Sequence, residues 1–178
     1  MGLLIRRVLH ELEVFDLDVA RPFRVKRHRV VRDGELERSI VQAERARPGA
    51  SCILLILDAD SDCPASLGSQ LRHRGSTQTD LRVLVVLPQL EIEAWILAGV
   101  DSVRGVRGIR ADAQPPHDPE SIQDAKGAIS RLMEGSRGYV ATVDQPAFFG
   151  SLDLALVAAR SRSFAKFRRD LASIAEVR

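Results

Sequence analysis

Ser51-Cys52-Ile53-Leu54-Leu55-Ile56-Leu57-Asp58-Ala59-Asp60-Ser61-Asp62 reads as an apolar strand running straight into an acidic turn. The apolar run over 52–57 is short, unbroken and bounded by turn residues. That pattern suits a strand covered on both faces, as in a parallel sheet. A second run of the same kind, Leu81-Arg82-Val83-Leu84-Val85-Val86-Leu87, stops at Pro88. Between the two, 64–74 patterns as a helix with Pro64 in its first turn. Upstream, Leu3, Leu4, Val8, Leu9 and Leu12 recur at helical spacing, predicting a helix over 3–13, and 15–18 reads as a turn. Phe23-Arg24-Val25-Lys26 alternates and predicts a strand over 20–27. Asp33 stands as an N-cap candidate for a helix over 34–47, closed by Pro48-Gly49. Downstream, 91–98 reads as a helix and 101–121 as a loop-rich stretch carrying Gly105, Gly108 and Pro115-Pro116. Helical patterns then cover 119–134, 144–159 and 163–175. The fold class expected is α/β: a Rossmann-like parallel sheet of three main strands, 20–27, 52–57 and 81–87, flanked by helices, with a helical C-terminal part. We divide the chain as a core over 1–110 and a helical extension over 111–178, with one continuous domain as the alternative.

With 178 residues, 45% hydrophobic and 28% charged, the chain is long enough to bury a core and is not compositionally disordered. No apolar run approaches the roughly 18 residues of a membrane span, so no membrane partner is expected. Met1-Gly2-Leu3-Leu4-Ile5-Arg6-Arg7 places its charges after its apolar residues, the reverse of a signal peptide. Cys52 and Cys63 form neither a disulfide framework nor a metal cluster, which fits a reducing cytoplasm. The net charge of +2 does not announce nucleic acid. Arg far outnumbers Lys, which occurs only at Lys26, Lys126 and Lys166; Arg suits phosphate contacts, and a GC-rich genome explains the same bias.

Chemistry concentrates at the strand ends. In open parallel sheets, ligands bind at the carboxyl ends of the strands. Asp58 and Asp60 are two residues apart and, in extended backbone, project the same way, with Asp62 beyond. Adjacent carboxylates repel unless a cation joins them, and Mg²⁺ accepts one or two carboxylates, completing its shell with water and phosphate oxygens. A solvated Asp-rich turn is the bland alternative. An EF-hand is excluded, because Cys63 takes its glycine position and Ser69 stands where its final Glu belongs. The second acidic spot, Gln89-Leu90-Glu91-Ile92-Glu93-Ala94-Trp95, follows the other apolar run. If the strands are parallel, both acidic tips share one sheet edge, as a metal-dependent phosphoryl site requires. On a helix Glu91 and Glu93 lie about 200° apart, so only one could face such a site. First-turn glutamates complementing a helix dipole are the alternative.

These residues carry a family resemblance. Asp58-Ala59-Asp60 resembles the Asp-x-Asp motif of Toprim domains, and Glu91-Ile92-Glu93-Ala94 the Glu-x-Glu-Ala motif of one Toprim-like family. With Asp118-Pro119-Glu120, Asp124-Ala125-Lys126-Gly127, Thr142-Val143-Asp144-Gln145-Pro146-Ala147 and Arg160-Ser161-Arg162-Ser163-Phe164-Ala165-Lys166-Phe167, the chain is similar to the family catalogued as domain of unknown function 4276. The resemblance implies a Toprim-like fold and a phosphodiester site using Mg²⁺ or Mn²⁺. Asp58, Asp60, Glu91 and Glu93 are its implied catalytic residues, and these four with Asp62 its implied metal ligands. It also implies relatives among nucleases of the overcoming-lysogenisation-defect type, and a separate ATPase partner in a defence module. A Toprim domain opens with a strand ending in a Glu-Gly motif before the first helix. No such strand precedes the helix over 3–13, and Glu11 and Glu13 do not match it. We therefore expect an open sheet edge, an aggregation-prone or homo-oligomeric chain and weak metal binding.

Other residues are less telling. Arg21, Arg24, Lys26, Arg27, His28, Arg29 and Arg32 form a basic run, read as a solvated edge or a phosphate-backbone contact. Arg160, Arg162, Lys166, Arg168 and Arg169 form another. With 4% aromatic residues, a base-stacking platform is disfavoured. Phe148, Phe149, Phe164, Phe167 and Trp95 are expected in the core. His10, His28, His73 and His117 with Ser66 and Ser69 form no triad, and Lys126 reads as a helix-surface residue. No phosphate-binding Gly-x-x-x-x-Gly-Lys loop is present. Three functions remain: a metal-dependent nuclease subunit; a catalytically impaired regulatory or scaffolding relative; and a phosphatase of the haloacid-dehalogenase type, for which Lys126 would be the needed lysine.

Overall fold

The computed structural model describes residues 1–32 and 34–175. Helix α1 (Gly2–Glu11) opens the chain, and an extended, unpaired stretch leads to the short α2 (Arg27–Val31) and to α3 (Glu35–Ala46). Strand β1 (Cys52–Ile56), α4 (Pro64–Ser76) and β2 (Arg82–Val86) form a β-α-β unit. Next come α5 (Ala94–Ala98), short 3₁₀ turns at Val100–Val103, Val106–Gly108 and Pro119–Ser121, then α6 (Ala125–Leu132), α7 (Ala141–Ser151), α8 (Leu154–Arg160) and α9 (Arg162–Ala175). The helix expected over 144–159 is two helices, because Asp153 caps a new one by accepting the Leu156 N–H at 2.9 Å. Asp33, the expected cap of α3, lies outside the described residues. The Gly34 N–H is held by the Glu37 carboxylate at 2.9 Å.

The protein is α/β, with a small sheet flanked by helices. Strands β1 and β2 are parallel, in register Cys52↔Arg82 to Ile56↔Val86. Leu54 and Ile56 of β1, with Leu84 and Val86 of β2, face one core, beside Leu4, Val8 and Leu9 of α1, Trp95, Phe148, Phe149, Phe164 and Phe167. Ile53, Leu55, Val83, Val85 and Leu87 face the other, built with Leu36, Ile40, Leu67 and Leu71. Both faces of the sheet are therefore covered, which is why the two strands read as unbroken apolar runs. Trp95 stacks on Phe167 with centroids 5.3 Å apart and meets Phe164 edge-on at 5.1 Å, locking α5 to α9. Arg7 of α1 donates to the Phe149 and Leu152 carbonyls, both at 2.8 Å, tying the first helix to the end of α7. At Gly99 a Cβ would stand 2.6 Å from Leu152 Cδ2 and from Val157 Cγ2, so only glycine lets α5 approach α7 and α8 this closely.

The strand expected over 20–27 does not form, and among the described residues the sheet has two strands, not three. Alternation needs a partner strand to become structure, and this segment has none. Phe23 is 49% and Val25 37% exposed, and Pro22 has no N–H to donate. Arg27, read as the end of the strand, instead begins α2 and carries its side chain to the end of β1. Among the described residues, the side of β1 away from β2 pairs with no other strand.

Candidate functional site

The Leu57 N–H donates to the Val86 carbonyl at 3.3 Å and the Ala59 N–H to the Pro88 carbonyl at 2.9 Å. The parallel ladder thus continues past both strands, and the two acidic tips lie side by side at the carboxyl end of the sheet. Asp58 Oδ1 accepts the Ile92 N–H at 2.8 Å, stitching the first tip to the second. Burial, with lesser pushes from Glu93 and Asp60, raises the Asp58 pKa to about 6 against the pull of the Ile92 N–H and Lys126.

Asp60 and Asp62 do not follow Asp58 into this cluster. The backbone turns at Asp60 into the left-handed region, at φ 50°, so the extended-chain rule that would place Asp58 and Asp60 on one side fails. Arg27 takes both carboxylates, with Nε 3.1 Å from Asp60 Oδ2 and Nη2 paired to Asp62 Oδ2. It also donates to the Asp58 and Ala59 carbonyls, each at 2.8 Å. Arg27 therefore clamps the turn and neutralises its two outer aspartates.

Glu91 and Glu93 precede α5, in a turn rather than on the helix, so the helical separation does not apply and both reach Lys126. Lys126 Nζ lies 3.0 Å from Glu91 Oε1 and 3.0 Å from Glu93 Oε2, and the Lys126 N–H donates to Glu91 Oε2 at 3.3 Å. Asp124 caps α6 by accepting the Gly127 N–H at 2.9 Å and so fixes the turn that carries Lys126. Burial opposes the Lys126 charge, but the two glutamates outweigh it and raise its pKa. Lys126 is thus a cluster residue, not the plain surface lysine its helical position suggested.

Glu93 is 2% exposed. Its Oε1 accepts Tyr139 Oη at 3.1 Å and Gln145 Nε2 at 3.4 Å. Burial, then the Glu93 charge, pushes the Tyr139 phenol up, so it stays a donor. The other oxygen, Oε2, is buried, and its partner is the Lys126 ammonium at 3.0 Å, an ion pair rather than a well-formed hydrogen bond. Tyr139 was missed by sequence reasoning, its one signal being that it is the chain's single tyrosine; Gln145 stood in the Thr142–Ala147 motif but was given no role there.

Among the described residues no three His, Cys, Asp or Glu side chains already converge on a metal position. Mg²⁺ needs only one or two protein carboxylates, however. Asp58 and Glu93 fit that need by donor type, since both offer carboxylate oxygens, and Glu93 Oε2 is buried against the Lys126 ammonium. Asp60 and Asp62, held by Arg27, do not.

The other motif residues serve the fold. Glu120, nearly buried, accepts the Ser161 hydroxyl at 2.8 Å and the Arg162 and Ser163 N–H groups at 3.0 Å each, capping α9. Trp95 Nε1 reaches the same corner through Ser163 Oγ at 2.8 Å. Asp144, fully buried, accepts the Val140 N–H at 2.8 Å and Arg107 Nε at 3.0 Å, and pairs with Arg137. Burial works against its charge, yet these donors win and hold its carboxyl below the usual range. In the C-terminal basic run, Arg160 pairs with Asp101, Lys166 with Asp170 and Arg168 with Glu11.

A parallel β-α-β unit with carboxylates and a lysine gathered at its carboxyl edge defines an α/β protein with a polar strand-end site. The chain matches the family described as "Domain of unknown function (DUF4276)" over residues 4–172 and belongs to it. No curated protein and no solved structure matches it. No described helix is long and apolar enough to cross a membrane.

Proposed function

We propose that the strand-end cluster is a metal-dependent phosphodiester site, as the Toprim resemblance implies, with Asp58 and Glu93 as the metal ligands and Glu91 beside them. The observation that carries this reading is Glu93 Oε2, a buried carboxylate oxygen with no hydrogen-bond donor, next to an Asp58 whose pKa burial raises. That oxygen is neutralised by the ammonium of a partly exposed lysine rather than by a fixed donor, and a hard cation suits the same position. A divalent ion held there supplies positive charge against a phosphate and acidifies a nearby water. The chain's own residues do the rest. Tyr139 and Gln145 fix the Glu93 carboxylate from behind, the Ile92 N–H orients Asp58, and Lys126, 45% exposed, offers a positive charge at the mouth. Arg21, Arg24, Lys26 and Arg29, all exposed on the stretch that leads into and through Arg27, supply further phosphate contacts along a nucleic acid.

Because Arg27 neutralises Asp60 and Asp62, the geometry favours one cation rather than two. Nuclease is the reaction proposed, and a separate ATPase the partner that the resemblance implies. The test is cleavage of supercoiled and linear DNA with MgCl₂ or MnCl₂ at pH 8. We expect metal-dependent nicking that Asp58→Asn and Glu93→Gln each abolish. Metal-independent cleavage, or full activity in both variants, would overturn the assignment. An inert wild-type chain that binds Mn²⁺ at Asp58 and Glu93 would favour the regulatory relative instead.

A further inference from the structure

Lys126 is in an unusual place for a surface lysine. Its ammonium stands between two carboxylates of different character: Glu91, which is partly open, and Glu93, which is buried and pinned on its far oxygen by Tyr139 and Gln145. It comes within 3.0 Å of Glu93 Oε2 in an ion pair, and Oε2 has no better-aligned donor. The stem rises from the first turn of α6, and 45% of the side chain is exposed. It can therefore swing out without opening the core, whereas Glu93 cannot move without breaking two hydrogen bonds.

We infer that Lys126 is a tethered cation that occupies the metal position at the strand-end cluster, and that a divalent ion binds by displacing it. This deepens the proposed function and rests on it. Two carboxylates, Glu91 and Glu93, then share one ammonium in the metal-free chain, with the Asp58 charge nearby, and the lysine keeps their mutual repulsion in check. When the ion enters, the ammonium is expelled toward the exposed side, where an incoming phosphate would meet it. The competition lowers the affinity for metal, and its strength is set by the two contacts with Glu91 and Glu93.

The experiment is calorimetric titration of MnCl₂ into the full chain at pH 8, for wild type, Lys126→Met and Lys126→Arg. Methionine keeps the stem and removes the charge, while arginine keeps the charge. We expect Lys126→Met to bind Mn²⁺ about tenfold more tightly than wild type, and Lys126→Arg to bind no more tightly than wild type. Thermal melting with and without MnCl₂ provides a second readout. Lys126→Met should melt lower than wild type without metal and gain more from it. Equal or weaker Mn²⁺ binding by Lys126→Met overturns the displacement and leaves the metal site standing. Absence of binding in all three chains overturns the metal site itself.

Discussion

Glu120 and Asp144 on one hand, and Glu93 and Asp58 on the other, are all carboxylates wholly or largely taken out of water, but they are housed in opposite ways. Around Glu120, two backbone N–H groups and a serine hydroxyl at the start of α9 occupy the oxygens, and around Asp144 an N–H and two guanidinium groups do so. Both are satisfied, and both hold segments far apart in the chain together. Glu93 has one oxygen held by Tyr139 and Gln145 and the other facing only the ammonium of the partly exposed Lys126, and Asp58 has one N–H and the Lys126 charge against burial and two negative neighbours. Buried charge with all its partners is architecture, whereas buried charge short of partners destabilises the fold and persists where a site needs it. That contrast, more than the number of acidic residues, marks where chemistry belongs in this protein.

Changes at these two pairs should differ in size and in sign. The largest concerns the satisfied pair. Glu120→Ala strips the cap of α9 and leaves buried donors unpaired, and should cost about 3–4 kcal/mol in chemical denaturation. A loss below 1 kcal/mol would show that α9 does not depend on this carboxylate. Second, at the unsatisfied pair a cation should stabilise: MnCl₂ at a hundred times its dissociation constant adds about 2.7 kcal/mol. That gain should fall as the pH drops below about 6, where the proton on Asp58 competes with the ion. An unchanged gain at pH 5 would take Asp58 out of the ligand set.

Third, Asp58→Asn should stabilise the metal-free chain. The Asp58 carboxyl has a pKa of about 6 in the fold against 3.8 as its ordinary value, so the folded chain holds the extra proton between those values. Stability attributable to this group therefore falls as the pH rises from 4 to 6 and stays low above. The asparagine should gain about 1–2 kcal/mol at pH 8, the gain shrinking toward pH 4. Melting curves across that range check it, and a destabilised variant at pH 8 would refute the burial argument. The smallest effect is expected for Arg27→Ala. Its ion pairs are with half-exposed aspartates and contribute little, but two carbonyl contacts are lost, so about 1 kcal/mol should go.

The strands around the acidic tips were legible because runs covered on both faces are almost wholly apolar, and 52–57 and 81–87, where Arg82 at the exposed start of β2 is the one charge, say so without help from the rest of the chain. The stretch 20–27 misled because alternation reports a half-buried strand only when a neighbour is there to pair with it, and Phe23 and Val25 alternate in solvent. Asp58, Glu91 and Glu93 could be picked out by type and position. Their geometry could not. It depends on a left-handed residue at Asp60, on a turn in place of a helix at Glu91–Glu93, and on Lys126, Tyr139 and Gln145, which come from elements 33 to 52 residues beyond Glu93. Glu120 stood out only through its Asp118-Pro119-Glu120 motif, and its capping role was hidden for the same reason, since its partners lie more than 40 residues downstream.

The two bonds from Arg7 to Phe149 and Leu152 bear on how the chain folds. They close loops of more than 140 residues, and Leu4, Val8 and Leu9 beside them have their aromatic neighbours, Phe148 and Phe149, equally far along the chain. On a ribosome adding about 5–20 residues per second, the first helix waits several seconds with its apolar stripe uncovered. The β-α-β unit closes early from nearby segments, while the core that seats α1 is the last to assemble, by the slow, long-range route. A fragment ending before α7 would carry both acidic tips and lack Gln145, and its first helix would have nowhere to dock.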